Sequence, residues 1–208
     1  FSLKYVKKVI PAFNIAGAVR WTNALAQGAR LPRVQAKAKA SDVAQLQYTG
    51  GTTGISKGAA LSHTALMANV AACEQWMGRA LDPDKEIGLV CLPIYHIAAY
   101  TNMLYAWTHG LHAVLITNPR DIPGLVAAFI HYRPSIFAGV NTLYDALLNS
   151  PDFVKLDFSG LKLSIQGGTA LRRATAERWR QVTGRDVVEM YGLSETCAGI
   201  TVNRWDTP

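Results

Sequence analysis

From residue 43 onward, short runs of β-branched and other apolar residues alternate with stretches whose apolar positions recur every three to four residues. The runs cover 43–49, 88–92, 112–117, 135–140, 161–166 and 186–191, each of strand length and flanked by turn residues. Between them, Leu66, Val70, Cys73 and Met77 form a helical stripe, with Ser62 placed as its N-cap. Asp121-Ile-Pro opens another helix with Pro123 in the first turn, and Leu125, Phe129 and Tyr132 continue it until Pro134. Leu171, Thr175, Trp179 and Val182 make a third stripe, closed by Gly184. Strand–helix alternation of this kind predicts an α/β fold, a mostly parallel sheet flanked by helices.

That architecture locates a site before any motif is considered, because ligands of open α/β sheets sit beyond the carboxyl ends of the strands. The segments that follow the first, second, fourth, fifth and sixth runs are 50–58, 93–96, 139–141, 167–169 and 192–196. All are rich in glycine, hydroxyls or ionisable groups, and they are expected to converge on one rim.

The 208 residues are half apolar and 17% charged, ordinary for a folded chain, and their net charge is +7. The charge is unevenly placed. Residues 1–41 hold eight basic residues (Lys4, Lys7, Lys8, Arg20, Arg30, Arg33, Lys37, Lys39) and no acid, so the remaining 167 residues sum to −1. We therefore read 1–41 as a basic lead-in segment and 42–208 as the body. This distribution argues against a nucleic-acid footprint and leaves a membrane surface open for the lead-in. Three cysteines in no paired spacing argue against a disulfide scaffold or zinc site and for a cytoplasmic protein. Residues 87–119 lack Asp, Glu, Lys and Arg, but Pro93, His96, Asn102, His109, Gly110 and His112 cut them into pieces too short to span a bilayer. They read as buried core. The chain opens on Phe1 with no initiator Met, which suggests an internal piece of a longer protein.

The densest chemistry is Tyr48-Thr-Gly-Gly-Thr-Thr-Gly-Ile-Ser-Lys-Gly58. Glycines at 50, 51, 54 and 58 permit close backbone approach, so successive N–H groups can face one anion. Hydroxyls of Thr49, Thr52, Thr53 and Ser56 and the ammonium of Lys57 complete a cradle for polyphosphate. The order is not that of a Walker loop, which argues against a conventional NTPase, and a plain glycine-rich hairpin is the competing reading.

This loop resembles the phosphate loop of the AMP-forming acyl-adenylating enzymes. Tyr191-Gly-Leu-Ser-Glu-Thr196, Leu92-Pro-Ile-Tyr-His96 and Gln166-Gly-Gly-Thr-Ala170 resemble further motifs of that family, in the family's order. With 118–125 and 139–148 added, the sequence is similar to the bacterial long-chain fatty-acid–CoA ligases. The resemblance implies that 42–208 is a partial AMP-binding α/β domain within the family's large N-terminal domain. It also implies that the ribose-binding Asp, the hinge and the C-terminal domain with its adenylation Lys lie beyond Pro208. These 208 residues alone are then expected to show little ligase activity.

The same resemblance implies ATP, Mg²⁺ and coenzyme A as cofactors and a long-chain fatty acid as substrate. Thr49, Gly50, Gly51, Thr52, Thr53, Gly54, Ser56, Lys57 and Gly58 would hold the β- and γ-phosphates, with Tyr48 also in the cofactor site. Glu195 would bind the metal, and Thr196, after Gly192 and Ser194, would contact the α-phosphate. Tyr191 would stack on adenine beside Gly167, Gly168 and Thr169. His96 would stand near the reacting carboxylate, Tyr95 at the acyl entrance, and Val140 and Thr142 along the acyl tunnel. Each has a plainer alternative: a solvated acid at Glu195, a core aromatic at Tyr191, a merely hydrogen-bonded His96. The arginines at 172, 173, 178 and 180 read as a solvated helix face, and the histidines at 63, 109, 112 and 131 as structural. Thr169 and Ser194 depart from the family's commoner residues. Another adenylating enzyme (an aryl-CoA ligase, a fatty-acyl-AMP ligase or a peptide-synthetase adenylation domain) remains open. So do a non-catalytic nucleotide- or membrane-binding module, peripheral contact with the inner membrane, and oligomerisation.

Overall fold

The computed structural model describes residues 15–49, 54, 56–82 and 85–206. They fall into two compact units, divided between Ala38 and Lys39. In the first, α1 (Trp21–Gly28) buries none of its side chains, and the described residues before and after it carry no regular element.

In the second unit, Ser62 accepts a hydrogen bond from the Ala65 N–H at 3.1 Å and starts α2 (His63–Met77), which buries Leu66, Val70 and Met77 of the expected stripe. Asp121 caps α4 (Ile122–Tyr132) through the Gly124 N–H, and Arg133 ends it in the left-handed region before Pro134. Gly184, at φ 71°, closes α6 (Arg173–Thr183). A fourth helix, α3 (Ile97–Thr108), was not predicted. Its apolar residues run round the whole circumference, so no amphipathic stripe marks it, and six of its twelve residues are buried. Its burial agrees with the core reading of the uncharged stretch. The last helix is α5 (Asn141–Leu148).

Six strands form one sheet in the order β4 (His112–Leu115), β3 (Ile87–Val90), β5 (Ile136–Gly139), β6 (Leu163–Gly167), β7 (Val187–Leu193), β8 (Ala198–Val202). The first five are parallel and β8 is antiparallel to β7. The expected mostly parallel sheet is therefore present. One expectation is corrected. The run at 43–49 is β1 (Val43–Thr49), yet it lies outside this sheet and pairs antiparallel with β2 (Lys57–Ser62) in a two-stranded hairpin. Lys57 and Gly58, read as loop, are strand residues.

Side chains alternate across the sheet as the pleat requires. Leu89, Phe137 and Trp179 belong to the core on the α4, α5 and α6 side, where Trp179 is wholly buried and donates its indole N–H to Ser164 at 3.0 Å. Leu163 belongs to the core on the other side, with Val70, Met77 and Tyr105 of α2 and α3. The arginines of α6 are more than a solvated face. Arg172, just ahead of it, pairs with Asp145 of α5, and Arg178 donates to Asn149 and to the Leu148 carbonyl, so two of the four tie α6 to α5. Among the described residues, no helix is long and apolar enough to cross a membrane.

Candidate functional site

β3 lies between β4 and β5, so the chain leaves it to one side for β4 and then returns to the other. The crevice at such a reversal is where parallel sheets hold ligands. A cavity of about 600 Å³ opens there. Its lining includes Thr49 from the hairpin, Pro93 and His96 after β3, Gly139 and Val140 at the end of β5, Gly167, Gly168 and Thr169 at the end of β6, and Gly192, Ser194 and Glu195 at the end of β7. Four of the five expected segments contribute; in place of 50–58, the described residues of the hairpin supply Thr49, the last residue of β1. The hairpin, which precedes every strand of the six-stranded sheet in the chain, stands beside that sheet and not within it.

The hairpin is tied in place by Gln47, 9% exposed, whose side-chain amide donates to the Tyr95 carbonyl at 3.1 Å. The Tyr48 ring lies over Gly58 opposite it, where an added β-carbon would stand 3.4 Å from the ring. Ser56 donates to the Thr49 carbonyl at 3.1 Å. Lys57 is exposed and Gly54 has φ +94°. Gly50, Gly51, Thr52 and Thr53 lie outside the described residues.

His96 caps α3: its Nδ1 accepts from the Ala98 N–H at 3.3 Å. A neutral imidazole accepting at Nδ1 carries its proton on Nε2, leaving a donor at the cavity. The plainer alternative and the functional one thus coexist in this residue. Tyr95 is 79% exposed and, like Thr142 on α5, does not line the cavity. Tyr191 also stays outside the lining, at 63% exposed, although its neighbours Met190 and Gly192 are in it.

The turn 167–169 is held from beneath. Buried Gln166 donates to the carbonyl and hydroxyl of Thr169, which gives the unusual Thr169 a role. Gly168, at φ +81°, would carry a β-carbon with no protein atom within 4 Å, an open position for a ligand's flat face. After β7, Glu195 is exposed at the cavity and no described residue pairs with its carboxylate. The Thr196 hydroxyl accepts from the Leu193 N–H at 3.0 Å and lies 3.0 and 2.9 Å from the Leu193 and Ala198 carbonyls. Its one proton is thus already engaged in the turn.

No group of three His, Cys, Asp or Glu among the described residues forms a metal cage. Glu195 fits a magnesium ion that takes one carboxylate and fills its other positions from phosphate and water. Cys73 lines the cavity, and burial raises its pKa, which keeps it a thiol. Cys91, in the core, is pushed up to about 12 by the same cause. Asn69, Thr101 and Gln47 are polar participants that no motif marks. An Asn inside an apolar helix, where it is a poor helix former, is the only sequence signal for the first of them.

A family profile described as AMP-binding enzyme matches residues 6–208. The chain is 44% identical over 207 residues to a long-chain-fatty-acid–CoA ligase of Salmonella typhimurium and 42% identical over 199 to one of Haemophilus influenzae. These matches cover 99% and 94% of this chain but 37% and 35% of the relatives, so the chain spans little more than a third of their length. Among solved structures, apo MatB from Rhodopseudomonas palustris matches with a TM-score of 0.74 at 28% identity, over 85% of this chain and 34% of that one. The N-terminal domain of FACL13 from Mycobacterium tuberculosis shares the fold with a TM-score of 0.78 at 22% identity, over 88% and 46%. With the profile running from residue 6 to the last position and the same fold in both solved structures, the chain belongs to the family of AMP-binding enzymes.

Proposed function

We propose that a protein carrying this chain activates a long-chain fatty acid with ATP and passes the acyl group to coenzyme A. The carboxylate oxygen attacks the α-phosphorus, pyrophosphate leaves, and the thiolate of coenzyme A then displaces AMP from the acyl carbon. The observation that carries the reading is the joint lining of one cavity: apolar Leu92, Ile97, Ala138, Val140 and Ile165 share it with Thr49, Thr169, Ser194 and Glu195. An acyl chain and a polyphosphate need those two surfaces together. The 44% identity to a curated long-chain ligase supports the choice of acid.

The protein's task in the first step is to align two anions and offset charge at phosphorus. Thr49, Gly54, Ser56, Lys57 and Gly58, with residues 50–53, would hold the phosphates. The turn 167–169 and Tyr191 would hold the base. Glu195 would hold Mg²⁺, which when bound neutralises phosphate charge. The His96 Nε2–H would orient the carboxylate, and Val140 would shape the acyl path; Tyr95 and Thr142, outside the cavity lining, have no part in it. Thr196 would reach the α-phosphate only by giving up a carbonyl acceptor it now uses.

The test is carboxylate-dependent exchange of pyrophosphate into ATP, run on a protein of the relatives' full length that carries this chain. Exchange driven by palmitate-length acids is expected; exchange driven by benzoate or amino acids and not by palmitate overturns the reading. We place the activity in the cytoplasm, with the basic residues of 1–41 and the exposed Trp21 and Leu25 against the anionic inner-membrane surface. Retention on anionic liposomes should be lost when 1–41 are removed.

A further inference from the structure

Three non-glycine residues have positive φ among those described, and two of them follow Thr196 directly: Cys197 at 58° and Ala198 at 92°. Such backbone is costly for an L residue and persists only where its surroundings over-determine it. Here the surroundings are specific. Asn69, from α2, donates its side-chain amide to the Gly199 carbonyl at 2.8 Å and the Thr196 carbonyl at 3.3 Å. Thr101, from α3 and 3% exposed, donates its hydroxyl to the Cys197 carbonyl at 3.0 Å. Carbonyls 196, 197 and 199 are thus held by two helices that precede them by 96 to 130 positions.

The Glu195 carboxylate stands one residue before this clamp. Asn69 and Thr101 both line the cavity, but their donors are spent on backbone, so they act on a ligand through the turn. Neither is explained by its helix: Asn and Thr are weak helix formers, and a buried polar group is retained only if paired. We propose that Asn69 and Thr101 are positioning residues for Glu195, holding the 194–199 turn so that the carboxylate presents to a divalent cation on bound nucleotide. The proposal deepens the reading above and rests on Glu195 as the metal ligand.

The test is titration with ATP, with and without Mg²⁺, of a protein of the relatives' full length that carries this chain, as wild type, Thr101→Val, Thr101→Ser and Asn69→Ala. Wild type should bind ATP more tightly with Mg²⁺. Thr101→Val keeps the shape and removes one donor, and should weaken Mg²⁺-dependent binding about tenfold, the worth of one hydrogen bond, with little change without Mg²⁺. Thr101→Ser should restore the wild-type ratio, and Asn69→Ala should lose at least as much as Thr101→Val. A merely structural role would lower thermal stability and leave the ratio of the two affinities untouched, and that result overturns the proposal. If Asn69→Ala fails to fold, the Thr101 pair decides alone. A wild-type protein whose ATP binding ignores Mg²⁺ overturns the assignment of Glu195 itself, a failure visible before any substitution is made.

Discussion

The Gln47 side chain donates to the carbonyl of Tyr95 at 3.1 Å, joining the hairpin to the loop that carries His96 across 48 positions of sequence. Because the hairpin has no strand partner in the six-stranded sheet, this bond is one of the ties that hold it at the cavity. Gln47→Leu keeps the apolar bulk and removes the bond. Amides of β1 such as Leu46 and Tyr48 should then exchange hydrogen about tenfold faster, while those of Phe137 and Ile165 keep their rates. Equal acceleration throughout the chain would show that the hairpin opens only with the whole fold.

Two cavity glycines should respond differently to alanine. A β-carbon on Gly192 would fall 1.7 Å from the Ala198 carbonyl oxygen, a clash with backbone that only a displaced β8 relieves. Gly192→Ala should therefore cost at least about 3 kcal/mol. Gly168 has φ +81° and open space, so Gly168→Ala should cost about 1 kcal/mol, the penalty of the left-handed region alone. Urea unfolding of both variants measures the difference.

Glu86 is 2% exposed and accepts from the Lys162 ammonium at 2.6 Å and the Asp82 N–H at 2.6 Å. Burial alone would raise its carboxyl, but these hydrogen bonds, the one from Ser135 and the Lys162 charge outweigh it and hold the group below the usual range. A depressed folded pKa contributes stability that is complete above the unfolded value, about 4.3, and is lost as pH falls through the folded one. Lys162→Met should cost roughly 2 to 3 kcal/mol at pH 7, since it strands a buried carboxylate. It should also remove this group's share of the stability lost below about pH 4. Urea midpoints at several pH values test both.

Glu195→Gln changes an exposed carboxylate that no described residue pairs with. Its unfolding free energy should stay within about 0.5 kcal/mol of wild type. Mg²⁺ should no longer strengthen ATP binding. A large stability loss would make Glu195 a structural residue.

Much of the sheet was readable because buried parallel strands are short apolar runs: all six runs are strands, and the caps Ser62, Asp121 and Gly184 act where their chemistry places them. Which strands pair was not readable. The run at 43–49 has the pattern of a sheet strand, and nothing local distinguishes a hairpin partner from a parallel one. β2 was hidden because glycine and lysine at 57–58 read as loop. The lining of the cavity followed from the strand-end rule, since loops after parallel strands share an edge. Gln47 and Thr101 left no signal, and Asn69 only that of a poor helix former in an apolar helix, because each acts by a hydrogen bond to a distant carbonyl, and backbone carbonyls leave no trace in side-chain patterns.

The clamp on the 194–199 turn also orders events in folding. During synthesis, Asn69 and Thr101 leave the ribosome well before the carbonyls they will hold, so until β7 and β8 arrive their donors face water beside apolar helix surface. Contacts of such sequence separation form late and at a loop-closure cost, so a species lacking them would still expose apolar surface. A nucleotide that needs the completed turn has nothing to bind in that species. It can stabilise the finished fold by mass action, but it cannot rescue a chain stalled on the way.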